Sequence, residues 1–241
     1  AGDQHYDVAP PRRSVRLYTN GVFHSQFNPA NPITGTVWNL LLLPAFFRPV
    51  EENRRVLVLG VGGGAVIQLL HRFVQSAQIL GVELDPTHIH IARRFFGITP
   101  QVASLVEADA TDWLRRYEGP KFDLIIDDLF GEKDGEPIRA VTADRVWLRR
   151  LSSHLASNGV LIINFISMRM LREAGRTLQQ TVPSLFPSSF SLSLPCYENT
   201  VGAFTTEARD ARQLRRRLKT SGVALGARLS RLPYRIRRLS F

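Results

Sequence analysis

The chain has 241 residues, of which 44% are hydrophobic, and a formal net charge of +10. That length and composition support one large domain with a sizeable core. The single cysteine, Cys196, excludes an internal disulfide and fits a reducing compartment. No apolar run approaches the length of a membrane span, so we predict a cytoplasmic protein without a transmembrane segment.

The first region that we distinguish is residues 1–50. Its first dozen residues are predicted to be flexible. Residues 14–27 alternate apolar and polar side chains around Asn20-Gly21, which is a strong hairpin signal. Residues 36–47 then predict a helix that packs over a ligand cleft.

The second region, residues 51–206, alternates near-continuous apolar runs with helical patterns. Such runs indicate strands that helices cover on both faces, which is typical of a parallel α/β domain. The predicted strands are 55–60, 78–83, 102–107, 122–128 and 159–166. The predicted helices are 64–75, 86–96, 110–117, 142–156 and 168–180.

Two further strands are predicted at 188–194 and 200–206. The connection between them is too short for a crossover helix, so they should pair antiparallel. We therefore predict a doubly wound, mostly parallel, seven-stranded sheet. This strand order resembles the Rossmann-like fold of class I S-adenosylmethionine methyltransferases, whereas a dehydrogenase half-domain would continue with parallel units.

The third region, residues 207–241, is a basic C-terminal tail. It holds eleven arginines and lysines and two acids, a balance of +9 within the chain's +10. Residues 209–219 predict a helix, and 228–238 repeat the basic, leucine-spaced pattern. Three interpretations stay open: a solvated or subunit-packing appendage, a segment that binds nucleic acid through phosphate contacts, and a segment that lies on an anionic membrane surface.

A glycine turn, Gly60-Val61-Gly62-Gly63-Gly64, follows the first apolar strand of the second region and opens a helix. Glycines there let a ligand approach the backbone. Glu83 ends the next strand about 20 residues later, where a carboxylate can accept hydrogen bonds from both ribose hydroxyls of an adenosine ligand. The same turn with Ala65 also fits a dinucleotide pattern, so a nicotinamide dehydrogenase is an alternative that the terminal hairpin disfavours.

Two later strand ends carry acids. Asp109 could accept a hydrogen bond from an adenine amino group while a nearby backbone N–H meets the ring, or it could simply cap the helix that Ala110 begins. Asp127 and Asp128 follow the strand 122–128, and adjacent strand residues point to opposite faces. One of the pair could therefore orient or deprotonate a nucleophilic amine beside a sulfonium, the alternative being a solvated loop acid.

Taken together, these residues resemble the spermidine synthase family over about residues 15–205. The motifs that carry the resemblance are Asn20-Gly21, Leu43-Pro44, the glycine turn, Val82 to Pro86, Glu107 to Ala110 and Phe122 to Asp128. The resemblance implies donor-binding roles for Gly60, Gly62, Gly63, Gly64, Glu83, Asp109 and Ala110. It places Asp128 at the family's catalytic aspartate, with Asp127 where the family usually has a neutral residue.

The departures from the family pattern bear on the donor. Aminopropyltransferases carry an aspartate inside the glycine turn that pairs with the amine of decarboxylated S-adenosylmethionine, and here that position is Gly63. Losing that carboxylate removes a charge-assisted contact of about 1.5–3 kcal/mol. It also removes a negative charge that would disfavour the carboxylate of ordinary S-adenosylmethionine.

The acceptor pocket departs too. Gly131 stands where the family has a second aspartate, with Glu132 beside it. His24 replaces a glutamine, although Gln26 is near, and Thr36 and Val37 replace a Tyr-His pair. Together with Tyr197 in the last hairpin, His24, Gln26 and Glu132 are our candidate acceptor-binding residues.

The sequence therefore predicts a spermidine-synthase-like S-adenosylmethionine-dependent methyltransferase of unknown acceptor, a small-molecule amine or another nucleophile. One alternative is a polyamine aminopropyltransferase that uses the decarboxylated donor, with Glu132 or Asp127 in place of the missing acids. The other is a non-catalytic nucleic-acid-binding module. The family resemblance implies a homodimer. His88 and His90 face different directions on a helix, so no metal site is predicted.

Overall fold

The computed structural model describes residues 4–9, 14–76, 78–195, 197–220 and 232–241; Cys196 and residues 228–231 of the basic tail lie outside them. An N-terminal antiparallel sheet contains β1 (Tyr6–Ala9), β2 (Val15–Thr19) and β3 (Val22–Phe27) in that order. Asn20 and Gly21, both with positive φ, form the turn between β2 and β3 as the sequence predicts. β1 lies within the dozen residues that we expected to be flexible, so that expectation is wrong for Tyr6–Ala9.

The helices and the remaining strands follow in chain order. The helices are α1 (Val37–Leu42), α2 (Ala65–Phe73), α3 (Pro86–Phe95), α4 (Ala110–Arg116), α5 (Arg145–Ser153), α6 (Met168–Thr181) and α7 (Ala211–Thr220), with 3-10 turns at Leu43–Phe47 and Val50–Glu52. The strands are β4 (Arg55–Leu59), β5 (Gln78–Glu83), β6 (Ser104–Glu107), β7 (Phe122–Asp127), β8 (Phe130–Lys133), β9 (Glu136–Arg139), β10 (Leu155–Phe165), β11 (Ser188–Ser193), β12 (Thr200–Thr205) and β13 (Arg235–Leu239).

Eight strands form the central sheet in the order β13-β11-β12-β10-β7-β4-β5-β6. The five strands from β10 to β6 are parallel, and β12, β11 and β13 pair antiparallel. The sheet thus has one strand more than predicted, because β13 of the basic tail pairs with β11. Chain order reverses between β4 and β7, and in open α/β sheets ligands bind at the carboxyl ends of the strands beside such a point.

Two apolar layers cover the sheet, as its nearly continuous hydrophobic strands require. One layer packs α1, α2 and α7 with the 3-10 turn at Leu43–Phe47, and the other packs α4, α5 and α6. Leu214 and Leu218 of α7 and Ile236 of β13 are buried in the first layer. The basic tail is therefore built into the domain through these residues, and its described part is not an appendage.

The remaining differences from the predicted elements have local causes. The predicted helix at 36–47 changes to a 3-10 turn at Leu43, where Pro44 follows. The helix predicted from 142 begins at Arg145, because the Asp144 side chain accepts from the Trp147 N–H and caps it there. The hairpin of β8 and β9 was not predicted. Among the described residues, no helix combines the length and apolarity needed to cross a bilayer.

Candidate active site

A cavity of about 700 Å³ opens at the carboxyl edge of β4, β5, β6 and β7. The residues that line it come from those strand ends, from the turn of the N-terminal sheet, from α1, and from the β8–β9 hairpin. They include Gly60, Gly62, Glu83, Leu84, Asp109, Ala110, Trp38, His24, Asp128, Glu132, Asn164 and Tyr197. Leu84 is 66% exposed at this wall, so it offers apolar surface that a flat ring could cover.

The glycine turn takes a shape that side chains would prevent. Gly60 has φ +82°, and a Cβ there would overlap the carbonyl oxygen of Asp128. Gly64 has φ +84° at the start of α2, and its Cβ would lie 2.8 Å from Ile98 Cγ1. Gly60 and Gly62 line the cavity, whereas Gly63 and Gly64 face away from it into the packing. The turn therefore presents backbone to a ligand at its first half only.

Gly63 has no room for the aspartate that the family pattern places there. A Cβ at Gly63 would lie 2.5 Å from Phe96 Cζ and 2.8 Å from Ser25 Cβ. Both neighbours are buried, Phe96 to 4% and Ser25 to 0% exposure. The space that an aspartate would need at position 63 is thus filled by Phe96, at the end of α3, and by Ser25 of β3. Position 63 therefore offers no carboxylate to a ligand.

Glu83 lies at the end of β5 and is 8% exposed. Its Oε2 accepts hydrogen bonds from the N–H groups of Val61 and Gly62, each at 2.9 Å, and its Oε1 accepts from the Asp85 N–H at 3.0 Å. The carboxylate therefore braces the glycine turn. Because a carboxylate offers about four acceptor positions, one remains for a ribose hydroxyl at the cavity wall.

Asp109 caps α4 and borders the cavity at the same time. Its Oδ1 accepts from the N–H groups of Thr111 at 2.8 Å and Asp112 at 3.0 Å and from the Thr111 hydroxyl. These bonds, the Thr111 hydroxyl first, hold the pKa of the Asp109 carboxyl below its usual value. Capping the helix uses only Oδ1, and Asp109 and Ala110 both line the cavity. The capping role of Asp109 is therefore compatible with a contact to an adenine ring.

Asp128 is half-buried directly after β7 and lines the cavity. Its Oδ1 accepts from Asn164 Nδ2 at 2.8 Å. The pKa of Asp128 is raised to about 6, and desolvation is the largest cause. The Asn164 hydrogen bond opposes that rise, the Asp127 charge adds to it, and the Arg139 charge and a Trp38 hydrogen bond oppose it. A carboxylate with this pKa is ionised at neutral pH and can still accept a proton, which suits a general base.

Asp127 points the other way and does not line the cavity. It is fully buried, and Arg139 Nη2 lies 2.8 Å from its Oδ2. Trp147 Nε1 donates to the same oxygen at 2.8 Å. The structure therefore does not place Asp127 as a second acid facing a ligand; it is the centre of a buried ion pair.

The two histidines near the mouth of the cavity lie together, with ring centroids of His24 and His88 5.3 Å apart. His88 Nε2 lies 2.8 Å from the Thr19 hydroxyl. Desolvation, followed by the charge of His88, lowers the pKa of His24 to about 4, so this imidazole is neutral at physiological pH. His24 lines the cavity, and its Nε2 is buried without a hydrogen-bond partner among the described residues.

The other acceptor candidates separate into two groups. Glu132 and Tyr197 line the cavity, whereas Gln26 does not. Glu132 accepts from Asn20 Nδ2 at 3.3 Å, so the β8–β9 hairpin touches the turn of the N-terminal sheet across the cavity mouth. Among the described residues, no lysine or arginine lines the cavity.

Sequence reasoning missed Asn164 and Arg139. Asn164 is a polar residue within the apolar run of β10, 3% exposed, and that misplaced polarity beside the carboxyl end was a usable signal. Arg139 lies in the short β8–β9 hairpin, which itself contains no apolar run, so its sequence surroundings carry no comparable signal.

Residues 40–215 match the family model of the spermine/spermidine synthase domain. A polyamine aminopropyltransferase of Vibrio vulnificus is 30% identical over 159 residues, which are 65% of this chain and 50% of that protein. The eEF1A lysine and N-terminal methyltransferase of Mus musculus is 29% identical over 127 residues, which are 48% of this chain and 18% of that protein. The chain thus spans half or less of the length of these curated relatives.

Two solved structures have the same fold. A probable spermidine synthase from Corynebacterium glutamicum ATCC 13032 superimposes with a TM-score of 0.73 at 16% identity, covering 97% of this chain and 87% of that one. Human methyltransferase-like protein 13 in complex with SAH gives a TM-score of 0.61 at 21% identity, covering 83% of this chain and 93% of that one. At these identities the likeness shows the shared fold, which is the class I methyltransferase type that the strand order predicts.

Proposed function

Because the chain belongs to the spermine/spermidine synthase family, we propose that it is a transferase that uses S-adenosylmethionine and moves its methyl group to a nucleophile. Relatives of both kinds, an aminopropyltransferase and a methyltransferase, support an enzyme with an S-adenosylmethionine-like donor. The choice of methyl transfer rests on one observation: Gly63 is packed against Phe96 and Ser25, so no carboxylate stands there to pair with the amine of a decarboxylated donor.

The residues at the cavity fit this donor. The glycine turn presents Gly60 and Gly62 without side chains, Glu83 lies at the position for a ribose, and exposed Leu84 with the Ala110 backbone can flank an adenine ring. When bound, S-adenosylmethionine supplies an electrophilic methyl group on a positively charged sulfur. The carboxylates at the wall, unopposed by lysine or arginine among the described residues, favour such a cation.

Asp128 is the residue that acts on the acceptor. Its carboxylate lies at the cavity wall, held by Asn164, and with a pKa of about 6 it is ionised at neutral pH. It can align an amine or hydroxyl for attack and accept the proton that the nucleophile releases. Alignment of the two reactants contributes most of the rate, since methyl transfer needs an in-line approach.

A test measures binding and transfer together. Calorimetric titration with S-adenosylmethionine and with its decarboxylated form should give tighter binding of the ordinary form. An assay with methyl-labelled donor and a panel of amines should then give transfer by the wild type, and Asp128→Asn should bind the donor equally without transfer. Tighter binding of the decarboxylated form, or transfer of an aminopropyl group, would overturn the proposal.

Aminopropyl transfer is the second candidate, and the acidic cavity favours it. Glu132 lines the cavity with Glu83, Asp109 and Asp128, and such carboxylates, with no lysine or arginine among the described lining residues, would suit a diamine. The calorimetric comparison separates the two candidates, because each predicts a different order of donor affinity. Adding putrescine or spermidine to the donor-loaded protein gives the complementary measurement of diamine affinity.

Contact of residues 207–241 with nucleic acid or an anionic surface stays a prediction, as does a homodimer. Deleting the tail is not a clean test, because Leu214, Leu218 and Ile236 are core residues. Charge reversal at exposed positions of α7, such as Arg212, Arg216 and Lys219, keeps the core. Salt-sensitive RNA or DNA binding that these changes abolish would support this contact, and binding that they leave intact would contradict it.

A further inference from the structure

Arg139 is a buried cation that pairs with Asp127, the residue before Asp128. Arg139 ends β9, and its side chain is 2% exposed. Its Nη2 donates to Asp127 Oδ2 at 2.8 Å and Oδ1 at 3.0 Å, while Nε donates to the Val141 carbonyl at 3.2 Å. A buried guanidinium with so many partners fixes the backbone around it, because each of those partners would lose a charge-assisted bond if it moved.

A third nitrogen of the same guanidinium reaches β10. Arg139 Nη1 donates to the Asn164 carbonyl at 2.7 Å. The Asn164 side chain in turn donates through Nδ2 to Asp128 Oδ1 at 2.8 Å and accepts from Asn199 Nδ2 at 3.2 Å. Asn164 therefore links the two residues: its side chain donates to the Asp128 carboxylate, and its carbonyl accepts from Arg139.

The same arginine also holds one wall of the cavity. The β8–β9 hairpin that contains it supplies Phe130, Gly131, Glu132 and Pro137 to the cavity lining. The Arg139 guanidinium carbon lies 5.9 Å from the centre of the Phe130 ring and 5.6 Å from that of Phe165. Arg139 therefore joins the hairpin, on the acceptor side, to the ends of β7 and β10.

We propose that Arg139 is the positioning residue of this site: it holds Asn164, and through it the Asp128 carboxylate, in the orientation that meets the acceptor. This inference rests on the proposed role of Asp128. Arginine is required because a lysine ammonium is a compact point charge that cannot donate to Asp127, Val141 and Asn164 in one plane. Asp127 neutralises the guanidinium and keeps it in place without itself touching the ligand.

The test uses a variant that removes both charges of the buried pair, Asp127→Asn/Arg139→Gln. In the wild type, Asp127 raises the pKa of Asp128 and Arg139 lowers it, so removing both leaves little electrostatic change. If Arg139 positions Asn164, the Asp128 carboxylate loses its bond from Asn164 in this variant, and its pKa rises above the wild-type value. The titration is followed by NMR of ¹³C-carboxyl-labelled aspartate, with Asp128→Asn identifying the signal.

A second buried arginine, Arg48, pairs with an acid of the same strand β7 and gives a matched control. Arg48 Nη1 lies 3.2 Å from Asp123 Oδ1 at the opposite end of β7, and neither residue lines the cavity. Arg48→Gln/Asp123→Asn should leave the pKa of Asp128 unchanged. Both double variants should bind S-adenosylmethionine within threefold of the wild type, because the glycine turn and Glu83 are untouched.

Asn164→Ala completes the test, since it keeps the ion pair and should raise the pKa of Asp128 to the same value. Combining it with Asp127→Asn/Arg139→Gln should add nothing further. An unchanged Asp128 pKa in Asp127→Asn/Arg139→Gln overturns the proposal. If that variant does not fold, Arg139→Lys takes its place with the same two outcomes. The titration needs no transfer, so failure of the proposed function would appear separately, as absent donor binding in the wild type.

Discussion

The two halves of the cavity are held together in different ways. On the side that we propose binds the donor, Glu83 accepts from the N–H groups of Val61 and Gly62, and Asp109 accepts from the N–H groups that begin its own helix. On the acceptor side, Asp128 depends on Asn164, 36 residues away, which depends on Asn199, another 35 residues away, and on Arg139. Backbone groups therefore organise the donor half, and side chains from distant segments organise the acceptor half.

That difference predicts how many neighbouring residues a substitution should affect. A carboxylate that binds mainly backbone N–H groups, as Glu83 and Asp109 do here, can be removed with a local cost. A carboxylate in a connected side-chain network transmits its loss to each partner, and such losses are not additive. We therefore expect the effects of donor-side substitutions on affinity and stability to be independent of one another. The effects of acceptor-side substitutions on the rate should be coupled.

The largest expected effect is that of Asp128→Asn. Loss of a general base costs about 10²–10⁴-fold in rate, while donor affinity should stay within about threefold because Asp128 belongs to the acceptor half. In the wild type, the rate should rise with pH as Asp128 loses its proton, with a midpoint at its pKa of about 6. Steady-state rates from pH 5 to 8 with calorimetric donor affinities measure both.

The stability of Asp128→Asn provides the control. Because the folded-state pKa of Asp128 is raised from 3.8 to about 6, its stabilising contribution is complete below pH 3.8 and lost as pH rises through 6. The asparagine variant should therefore be at least as stable as the wild type at pH 8 in urea unfolding. A variant that is inactive because it unfolds would contradict the assignment of a catalytic role.

The next effect concerns Gly63, where an aspartate could change which donor the protein prefers. Gly63→Asp alone should lose about 1–3 kcal/mol of stability, because its Cβ meets Phe96 and Ser25. Combined with Phe96→Ala, which opens that space, the new carboxylate should move the donor preference toward decarboxylated S-adenosylmethionine by about 10–100-fold. Urea unfolding and calorimetry with both donors measure these changes.

Phe96→Ala by itself is the control for that pair. It should lower stability through the cavity that it leaves, and it should not change the ratio of the two donor affinities. If Phe96→Ala changes the ratio as much as the double variant does, the acid is not the cause. The proposed basis for methyl transfer would then lose its support.

These contrasts also explain how much the sequence predicts. Donor-binding roles for the glycine turn, Glu83 and Asp109 were predicted from a pattern at fixed spacing, and the structure places Gly60, Gly62, Glu83 and Asp109 at the cavity. The parallel strands β4, β5 and β7 were recognised from their apolar runs. Phe96 filling the space beside Gly63 was not predictable, because it depends on how α3 packs against the turn.

The acceptor side was predicted less well. Asp128 was identified by its place at a strand end, but the sequence offered no way to decide that Asp127 pairs with Arg139 and turns away from the ligand. The leucine spacing of the basic tail predicted a helix at 209–219, but the charge of the tail directed its interpretation toward outside partners. Leu214, Leu218 and Ile236 instead hold α7 and β13 in the domain. Spacing within a segment predicts its helix but not the distant segment on which that helix packs.

A smaller effect is expected from Glu83→Gln. The amide keeps an acceptor oxygen but loses the charge that strengthens the bonds from Val61 and Gly62, so stability should fall by about 1.5–3 kcal/mol. Donor affinity should fall about tenfold, because the turn and the ribose position are both loosened. Glu52→Gln, at a partly exposed ion pair with Arg48, should change neither by a comparable amount. Equal effects at both sites would contradict a specific role for Glu83.

The smallest effect separates the two roles of Asp109. Asp109→Ala removes the N-cap of α4, and Asp144→Ala removes the N-cap of α5, so each should cost about 1 kcal/mol in urea unfolding. Of these two caps, only Asp109 lines the cavity, so only Asp109→Ala should also weaken the binding of S-adenosylmethionine, by about three- to tenfold.

Asp109→Asn sharpens the distinction, since asparagine caps a helix about as well as aspartate. If Asp109→Asn restores stability and donor affinity remains reduced, the carboxylate contacts the donor; if both return, Asp109 serves the helix alone, and the donor half is held by the glycine turn and Glu83.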